Sequence, residues 1–403
     1  MRKSVLSAAI LFFCLTATVF AQIDPEKRRL LQFGFNQPIE GRGPISGYAF
    51  YYRNEPGFYR TNITLRLAIA PVYLDSELGF AHALGDQTDF AVGAAGGGFA
   101  DSYSEVRQGR LIDEESFTGH GGEISASIYH LFNPGALIPL SGILRGSAHY
   151  STYSEDSNTD DNFKLPQDRT SLNVRAGFRW GGKEPVMRPD VGMEISAWYE
   201  GQFRTEYGKY GFNGDRSVRP SSHLFWGRAL LIYTLPKLKH NFSLSVTAGT
   251  SASADRFSSY RLGGNLPLIA EFPLTLPGYY FQEISAHRFI LFSGQYSLPL
   301  DEAKRWNLTA VGTIAGVDYI SGLEQPGGTH SGAGLGIGYR SKNNTWEVMV
   351  GYSYGLDAIR HHGRGAQSIG LLFQFDLETQ RRGTYIDINI PYKSRGLFRI
   401  LGD

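Results

Sequence analysis

Strict alternation of apolar and polar residues runs through most of this chain. In residues 345–358, apolar or aromatic side chains occupy every second position, and the positions between them carry Glu, Met, Gly, Ser and Asp. Residues 171–180 follow the same rule, with Ser, Asn, Arg and Gly on the polar side. A period of two places the apolar residues on one face of a β-strand. No stretch of helical length shows a helical apolar period, so the pattern predicts an all-β protein.

The pattern recurs along the chain and predicts sixteen strands. Many of them span about 10–15 residues, which exceeds the roughly 5–6 residues usual in soluble proteins. Their polar face carries Arg, Glu and Gly, which suits a wet lumen, and the other face suits lipid. We therefore predict a 16-stranded antiparallel transmembrane β-barrel of the bacterial outer membrane. The predicted strands are 29–38, 45–55, 59–70, 74–84, 89–101, 119–131, 139–152, 170–181, 190–206, 221–234, 239–262, 283–298, 305–320, 330–341, 345–358 and 366–377.

The connections between the predicted strands alternate between long and short, as an outer-membrane barrel requires. If strand 1 rises from the periplasm, the long polar connections lie outside the cell and the short turns lie in the periplasm. The outside loops include 102–118, 153–169, 207–220, 263–282, 321–329 and 359–365, and the short turns include 55–58, 85–88, 234–239 and 341–344.

The N-terminus has the features of an export signal. Arg2 and Lys3 precede an apolar run, and Val19-Phe20-Ala21 fits the small-residue rule for cleavage after Ala21. A single membrane anchor is the competing interpretation. We expect a signal peptide at 1–21, a barrel at 22–377 and a periplasmic tail at 378–403, in which "TYIDINIPY" is consistent with a small extra strand.

Composition supports this assignment and excludes other classes. Cys14 is the single cysteine, so the predicted mature chain has no disulfide and no thiol chemistry. The chain has 39 basic and 38 acidic residues, which argues against a nucleic-acid partner. Aromatic residues make up 13% of the chain and Gly contributes 49 residues, both high against ordinary usage. The expected surroundings are therefore outer-membrane lipid.

One predicted connection, 263–282, is unusually apolar and rich in proline. It is either a plug folded into the lumen or an external loop that lies over the barrel mouth. So many apolar groups exposed together would form an aggregation-prone patch. The plug is therefore the favoured interpretation.

Three motifs in this region carry a family resemblance. They are Tyr260-Arg261-Leu262-Gly263-Gly264, then Leu276-Pro277-Gly278-Tyr279, then "FSGQYSLPL" at 292–300. The chain resembles the outer-membrane assembly and two-partner-secretion barrel superfamily, the BamA/TamA-like bacterial surface antigen family. The resemblance is clear for about 240–377 and only architectural before that. It implies sixteen strands, with the loop between strands 11 and 12 folded back into the lumen.

The resemblance also implies a set of lumen-loop site residues: Arg261, Gly263, Gly264, Leu276, Pro277, Gly278 and Tyr279. In the family, a motif arginine reaches an acidic residue on the lumen wall, and Pro277 stands in its place here. Arg261 either supplies an ion pair in its stead or is a surface cation. The resemblance further implies a barrel-only member, without the periplasmic POTRA domains that receive clients in most members.

Three functions are consistent with the sequence. The first is help with insertion or translocation of a partner protein or other polymer, either alone or with a periplasmic partner, by opening a weak seam between strands 1 and 16. The second is a passive or gated porin-like channel. The third is a membrane-embedded lipid hydrolase, for which only His330 beside Ser331 offers a candidate pair and no Gly-x-Ser-x-Gly motif is present.

We expect no enzyme activity, no cofactor and no metal site. His361 and His362 are adjacent on a predicted external loop without a nearby acid. The acidic run of Glu155, Asp156, Asp160 and Asp161 lacks the spacing of a calcium loop. Both groups are interpreted as solvated loop residues.

Overall fold

The computed structural model describes residues 26–44 and 46–379. The predicted signal peptide and all of the tail beyond residue 379 lie outside the described residues, so those two domain assignments remain predictions. Within the described part, no helix is long and apolar enough to cross a membrane.

Sixteen long strands pair with their neighbours in chain order and close into one antiparallel barrel. Four further strands, β6, β11, β12 and β15, are short and belong to the connections. The strands are β1 (Arg28–Pro38), β2 (Gly47–Pro56), β3 (Ile63–Ala70), β4 (Tyr73–Phe80), β5 (Thr88–Gly97), β6 (Tyr103–Arg107), β7 (Arg110–Leu131), β8 (Leu140–Glu155), β9 (Arg169–Gly182), β10 (Val191–Arg204), β11 (Gly208–Tyr210), β12 (Arg216–Val218), β13 (Ser221–Thr234), β14 (Asn241–Ala252), β15 (Tyr260–Leu262), β16 (Ile284–Pro299), β17 (Trp306–Tyr319), β18 (Thr329–Arg340), β19 (Trp346–Arg360) and β20 (Gly363–Asp376).

The alternation places apolar side chains outside and polar side chains inside, which confirms the predicted faces. On β1, Leu31, Phe33 and Phe35 are 37–44% exposed, whereas Gln32 and Asn36 on the alternate positions are almost fully buried. A soluble protein would show the reverse arrangement. An outward apolar belt around a polar interior is the arrangement that a barrel in lipid requires.

β16 departs from the alternation because both of its faces are covered by apolar surroundings. Phe289 and Leu291 point inward and are buried, while Ile290 and Phe292 point outward and are exposed. The inward pair belongs to the main apolar cluster of the molecule, together with Leu276 of the connection between β15 and β16. The apolar run in the sequence of this strand therefore reflects packing inside the barrel as well as contact with lipid.

Most predicted strand ends lie within about four residues of the observed ones, but two predicted segments differ more, both at the rim where the long connections lie. The predicted strand 239–262 is broken after Ala252, because Ser253 adopts a left-handed backbone conformation with φ of 56°. The predicted outside loop 102–118 contains a β6–β7 hairpin, whose turn residues Gln108 and Gly109 both have positive φ.

The long connections pack together into a cap over their rim. Tyr103, Phe117, Phe163, Tyr210 and Val218 form a buried cluster contributed by the β6–β7 hairpin, the β8–β9 connection and the β10–β13 connection. Ion pairs add to this cap, notably between Glu115 and both Arg107 and Arg216. The connections at the opposite rim are shorter.

The barrel closes where β1 meets β20, in continuous register from Leu30 opposite Asp376 to Pro38 opposite Ser368. Lumen-facing side chains reinforce this seam, since Gln32 donates to Gln374 at 2.8 Å. The register is as continuous as that between β1 and β2. The seam is therefore closed in the resting barrel by main-chain pairing and by side-chain bonds, and its opening stays a prediction.

Candidate functional site

Residues 263–282, here called the lumen loop, connect β15 to β16 and lie inside the barrel. Leu276, Tyr279 and Tyr280 are at most 1% exposed. A Cβ atom on Gly278 would lie 1.9 Å from the backbone nitrogen of Gly355 on β19, so this glycine is needed for close approach to the wall. The predicted in-folded loop between the eleventh and twelfth barrel strands is confirmed, and the external-loop alternative is wrong.

A buried ion pair fastens the C-terminal end of the lumen loop. Arg360 at the end of β19 donates to both carboxylate oxygens of Glu283, at 3.0 and 3.1 Å. Both side chains are fully buried. The guanidinium also lies 3.7 Å from the ring centre of Tyr280, in cation–π geometry. Two-point hydrogen bonding with ring stacking fixes the direction in which the loop enters the lumen.

The tip of the lumen loop carries Glu271, which meets three arginines on the wall. Arg179 forms an ion pair with this carboxylate, and Arg175 lies 3.3 Å from it. Arg228 donates to the Glu271 backbone carbonyl at 3.0 Å. Arg175 and Arg179 lie on β9 and Arg228 lies on β13, and we call the three the arginine clamp.

Phe272 follows Glu271 and completes the contact between tip and wall. Its ring packs edge-on against Trp198 and Trp226, with centroids 5.5 and 6.0 Å away. The Arg228 guanidinium lies 4.4 Å from the centre of the same ring. Arg228 is itself held by Glu194 through bonds of 3.1 and 2.5 Å. The wall is thus pre-organised to receive an acidic residue followed by an aromatic one.

The electrostatics of the tip favour the ionised carboxylate. Burial alone would raise the pKa of Glu271, but the nearby charges of Arg179 and Arg175 outweigh it and lower the pKa to about 2. Glu271 therefore stays charged at neutral pH, and the ion pair with the clamp persists.

The predicted site residues lie around this anchored loop, but they do not form its charged contacts. Pro277 directs its carbonyl towards Gly332 on β18, where a Cβ would lie 2.2 Å from that oxygen. Tyr279 shares a 3.2 Å hydrogen bond with His330. Leu276 is fully buried and forms a β-bridge with Gly264.

Arg261 and Gly263 lie at the N-terminal end of the lumen loop. Arg261 donates to the backbone carbonyls of Ser104 and Gln282, at 2.8 and 3.3 Å. Gly263 has φ of 143°, and a Cβ there would lie 2.2 Å from the Tyr280 carbonyl oxygen. Glycine is therefore required for the two ends of the loop to come together.

The residues that fasten the loop were missed by sequence reasoning, although a signal was present. Glu271 is the only charged residue between Gly263 and Gln282. A lone charge in an apolar loop needs a partner if the loop is buried. Arg175 and Arg179 were already placed on the polar face of their strand, and they face the lumen. The polarity is the reverse of what the resemblance implied, with Glu271 on the loop and the arginines on the wall.

A second segment closes the opposite end of the lumen. Residues 183–190, here called the crossing segment, connect β9 to β10 and reach strands half-way round the barrel. Gln32 on β1 donates to the Pro185 carbonyl at 3.2 Å, and the Met187 amide donates to Gln374 on β20 at 2.9 Å. The sequence predicts this segment only as a connection between two strands, without contacts across the lumen.

Lys183 begins the crossing segment and faces the same charged region as the clamp. Burial lowers the pKa of Lys183 to about 8, and the positive charge of Arg228 adds to the effect. The charges of Arg228, Arg179 and Glu271 therefore act on the first residue of the crossing segment.

The candidate hydrolase pair is not assembled. His330 is buried in the lumen, where its ring nitrogens contact the hydroxyls of Tyr279 and Tyr319. Ser331 lies on the other face of β18 and donates to Asp357 at 2.6 Å. In the external loop, His362 contacts Glu40 at 2.5 Å. Among the described residues, no group of three or more His, Cys, Asp or Glu side chains has the arrangement of a metal site.

These features define a bacterial outer-membrane β-barrel of sixteen strands with a loop anchored inside its lumen. Its fold is shared with CdiB and BamA, so the resemblance noted in the sequence is confirmed for the fold. No family model matches the sequence, and no curated protein matches it.

Three solved structures carry this comparison. CdiB from Escherichia coli is 12% identical with a TM-score of 0.56, and the match covers 87% of this chain and 64% of that one. CdiB from Acinetobacter baumannii is 10% identical with a TM-score of 0.54, covering 88% and 61%. BamA from Haemophilus ducreyi lacking POTRA domains 1-3 is 9% identical with a TM-score of 0.54, covering 87% and 71%. This chain thus spans less than two thirds of either CdiB structure.

Proposed function

We propose that this barrel helps a partner polypeptide to enter or cross the outer membrane, beside the barrel rather than through its resting lumen. The observation that carries the proposal is the lumen loop, anchored in a fold shared with CdiB and BamA. The lumen is obstructed from one end by this loop and from the other by the crossing segment. A polypeptide therefore needs another route.

The seam between β1 and β20 is the route that strains the chain least. Every other pair of adjacent barrel strands is joined by a connection, whereas β1 and β20 are joined only by pairing. Separation there exposes two strand edges, and an exposed edge can template the pairing of an incoming strand. The cost is the loss of the seam's main-chain bonds, which a client strand can replace.

A reversible disulfide across the seam tests this proposal. Gln32 and Gln374 lie directly opposite each other, so cysteines at these positions can be bridged when the strands are paired. The reduced variant in liposomes should speed the folding of a urea-unfolded eight-stranded outer-membrane barrel several-fold over empty liposomes. Oxidation should abolish the gain, and a reductant should restore it. Folding is measured by the heat-dependent mobility of the client in gels.

The matched control is a cysteine pair at Ser353 and Ser368, which face each other across β19 and β20. Its oxidation should leave the folding rate unchanged. If the reduced seam variant gives no acceleration, or if oxidation of the seam has no effect, the proposed lateral route is wrong. A Cys14→Ser background removes the single native cysteine.

The second candidate is a gated channel, which is favoured by the placement of a single charged side chain at the loop tip. The ion pair between this side chain and the wall can break without unfolding the barrel. The two functions differ in the conductance of the intact protein in planar bilayers. A large, steady conductance would support the channel and contradict a barrel obstructed at rest.

A further inference from the structure

A cavity of about 560 Å³ lies between the lumen loop and the wall formed by β8, β9 and β10. Its size is within the range of small-molecule sites, which is roughly 300–1,000 Å³. Residues from the cap close part of it, including Phe257 and Arg256. Ala270 and Phe272, which flank Glu271, also line the cavity, so it extends to the tip of the lumen loop.

Arg169 of β9 lines this cavity and carries an unused donor. Its side chain is buried, with the residue only 4% exposed. One terminal nitrogen donates to the Tyr153 hydroxyl at 2.6 Å, and the guanidinium lies 4.4 Å from the ring centre of Phe257. The other terminal nitrogen, Nη1, has no hydrogen-bond partner in the described protein. A buried guanidinium normally has an anionic partner.

Arg261 lines the same cavity and also has a donor to spare. Its Nη2 group serves backbone carbonyls, and its Nε atom has no partner among the described residues. The neighbouring cations are already engaged, since Arg204 pairs with Asp255 and Arg256 pairs with Glu105. An anion in the cavity would therefore find unused hydrogen-bond donors on Arg169 and Arg261.

The lumen-loop side of the cavity is largely apolar, whereas the wall side also carries polar residues such as Asp101, Ser171 and Gln202. Leu266, Ile269, Leu274 and Phe281 all line it. A ligand there would place a charged end near the arginines and a small apolar body against the loop. Arginine matches carboxylate and phosphate groups by paired, charge-assisted hydrogen bonds.

We propose that this cavity binds a small organic anion, with a carboxylate or phosphate at Arg169 and Arg261 and an apolar body against the lumen loop. This site is independent of the proposed polypeptide function. A ligand held there would contact both the loop and the wall.

Calorimetry on the full chain in non-ionic detergent tests the proposal, with benzoate and phenyl phosphate as anionic probes and benzamide as the neutral match. Both anions should bind, and benzamide should bind at least tenfold more weakly. Inorganic phosphate, which lacks the apolar body, should also bind more weakly than phenyl phosphate. Arg169→Gln should weaken anion binding at least tenfold, as loss of a charge-assisted hydrogen bond predicts.

Arg110→Gln is the control, because Arg110 is exposed in the β6–β7 turn and does not line the cavity. Arg261→Gln serves as a second test if Arg169→Gln fails to fold. The proposal is overturned if neither anion binds at millimolar concentration, if benzamide binds as well as benzoate, or if Arg169→Gln and Arg261→Gln both behave like the control.

Discussion

Glu271 shows that the lumen loop meets a charged wall at another position, and with the opposite polarity, from the contact that the resemblance implied. The family resemblance implied an arginine on the loop and an acid on the wall, and Pro277 occupies the arginine's position. In this chain, the loop supplies Glu271 and the wall supplies Arg175 and Arg179. The attraction is the same whichever side carries the negative charge. What matters is that a loop entering an enclosed lumen has a charged partner there.

Replacement of Glu271 by Gln should loosen the tip of the lumen loop without unfolding the barrel. A charge-assisted hydrogen bond is worth about 1.5–3 kcal/mol, and we reduce this to about 1–2 kcal/mol because Glu271 is 40% exposed. Opening of the loop should then become roughly 5- to 30-fold more frequent. Hydrogen exchange of peptides covering 263–282, followed by mass spectrometry, measures this opening.

Glu302→Gln is the matched control for this substitution, because it removes the same charge from an exposed turn. Exchange in 263–282 should remain at the wild-type rate in the control. Equal exchange in Glu271→Gln and in the wild type would show that the clamp does not hold the loop.

The difference in hydrogen exchange between Glu271→Gln and the wild type should depend on pH. The pKa of Glu271 is lowered from 4.5 to about 2 when the loop is docked. The carboxylate therefore contributes its full stabilisation above about pH 4.5 and loses it as the pH falls through 2. The ratio of exchange rates between Glu271→Gln and the wild type should be constant above pH 4.5 and approach one near pH 2. Because both proteins share the same intrinsic exchange chemistry, the ratio isolates the carboxylate, and a ratio that does not change with pH would contradict this account.

At the scale of elements, the strands were predictable because each one repeats a simple rule. Lipid on one side and a polar interior on the other impose a period of two on every strand, and all sixteen were predicted from it. The count then placed 263–282 between the eleventh and twelfth strands, and its apolar residues together with the resemblance predicted that it folds into the lumen. These features depend on local sequence and on order along the chain.

Other elements were not predictable because they depend on which parts of the barrel face each other. The crossing segment is short and carries no apolar run, and its partners Gln32 and Gln374 lie near opposite ends of the sequence. The break at Ser253 follows from a backbone conformation that its side chain does not require. The partners of Glu271 needed the same information, since β9 meets the loop only after the barrel closes.

At the scale of the whole molecule, the lumen has two closures in series. The lumen loop enters from the rim of long connections, and the crossing segment spans the opposite end. A barrel of sixteen strands is wide enough to leave an aqueous channel when nothing fills it. Current through two obstructions in series is limited by whichever one remains, so removal of either alone should have little effect on conductance.

This arrangement predicts a strongly non-additive result in planar bilayers. Deletion of 265–282 is geometrically feasible, because a Cβ on Gly263 would lie 2.8 Å from the Glu283 backbone nitrogen and the loop ends are therefore adjacent. Replacement of 184–189 by a Gly-Ser linker of equal length removes the contacts of the crossing segment while it preserves the chain length. Each change alone should raise the single-channel conductance only slightly, and the two together should give a large, steady channel. A full-sized channel after deletion of 265–282 alone would show that the crossing segment does not obstruct the lumen.

Heat-dependent mobility in gels should first establish that each variant is a folded barrel, so that any difference in current reports on the closures and not on folding.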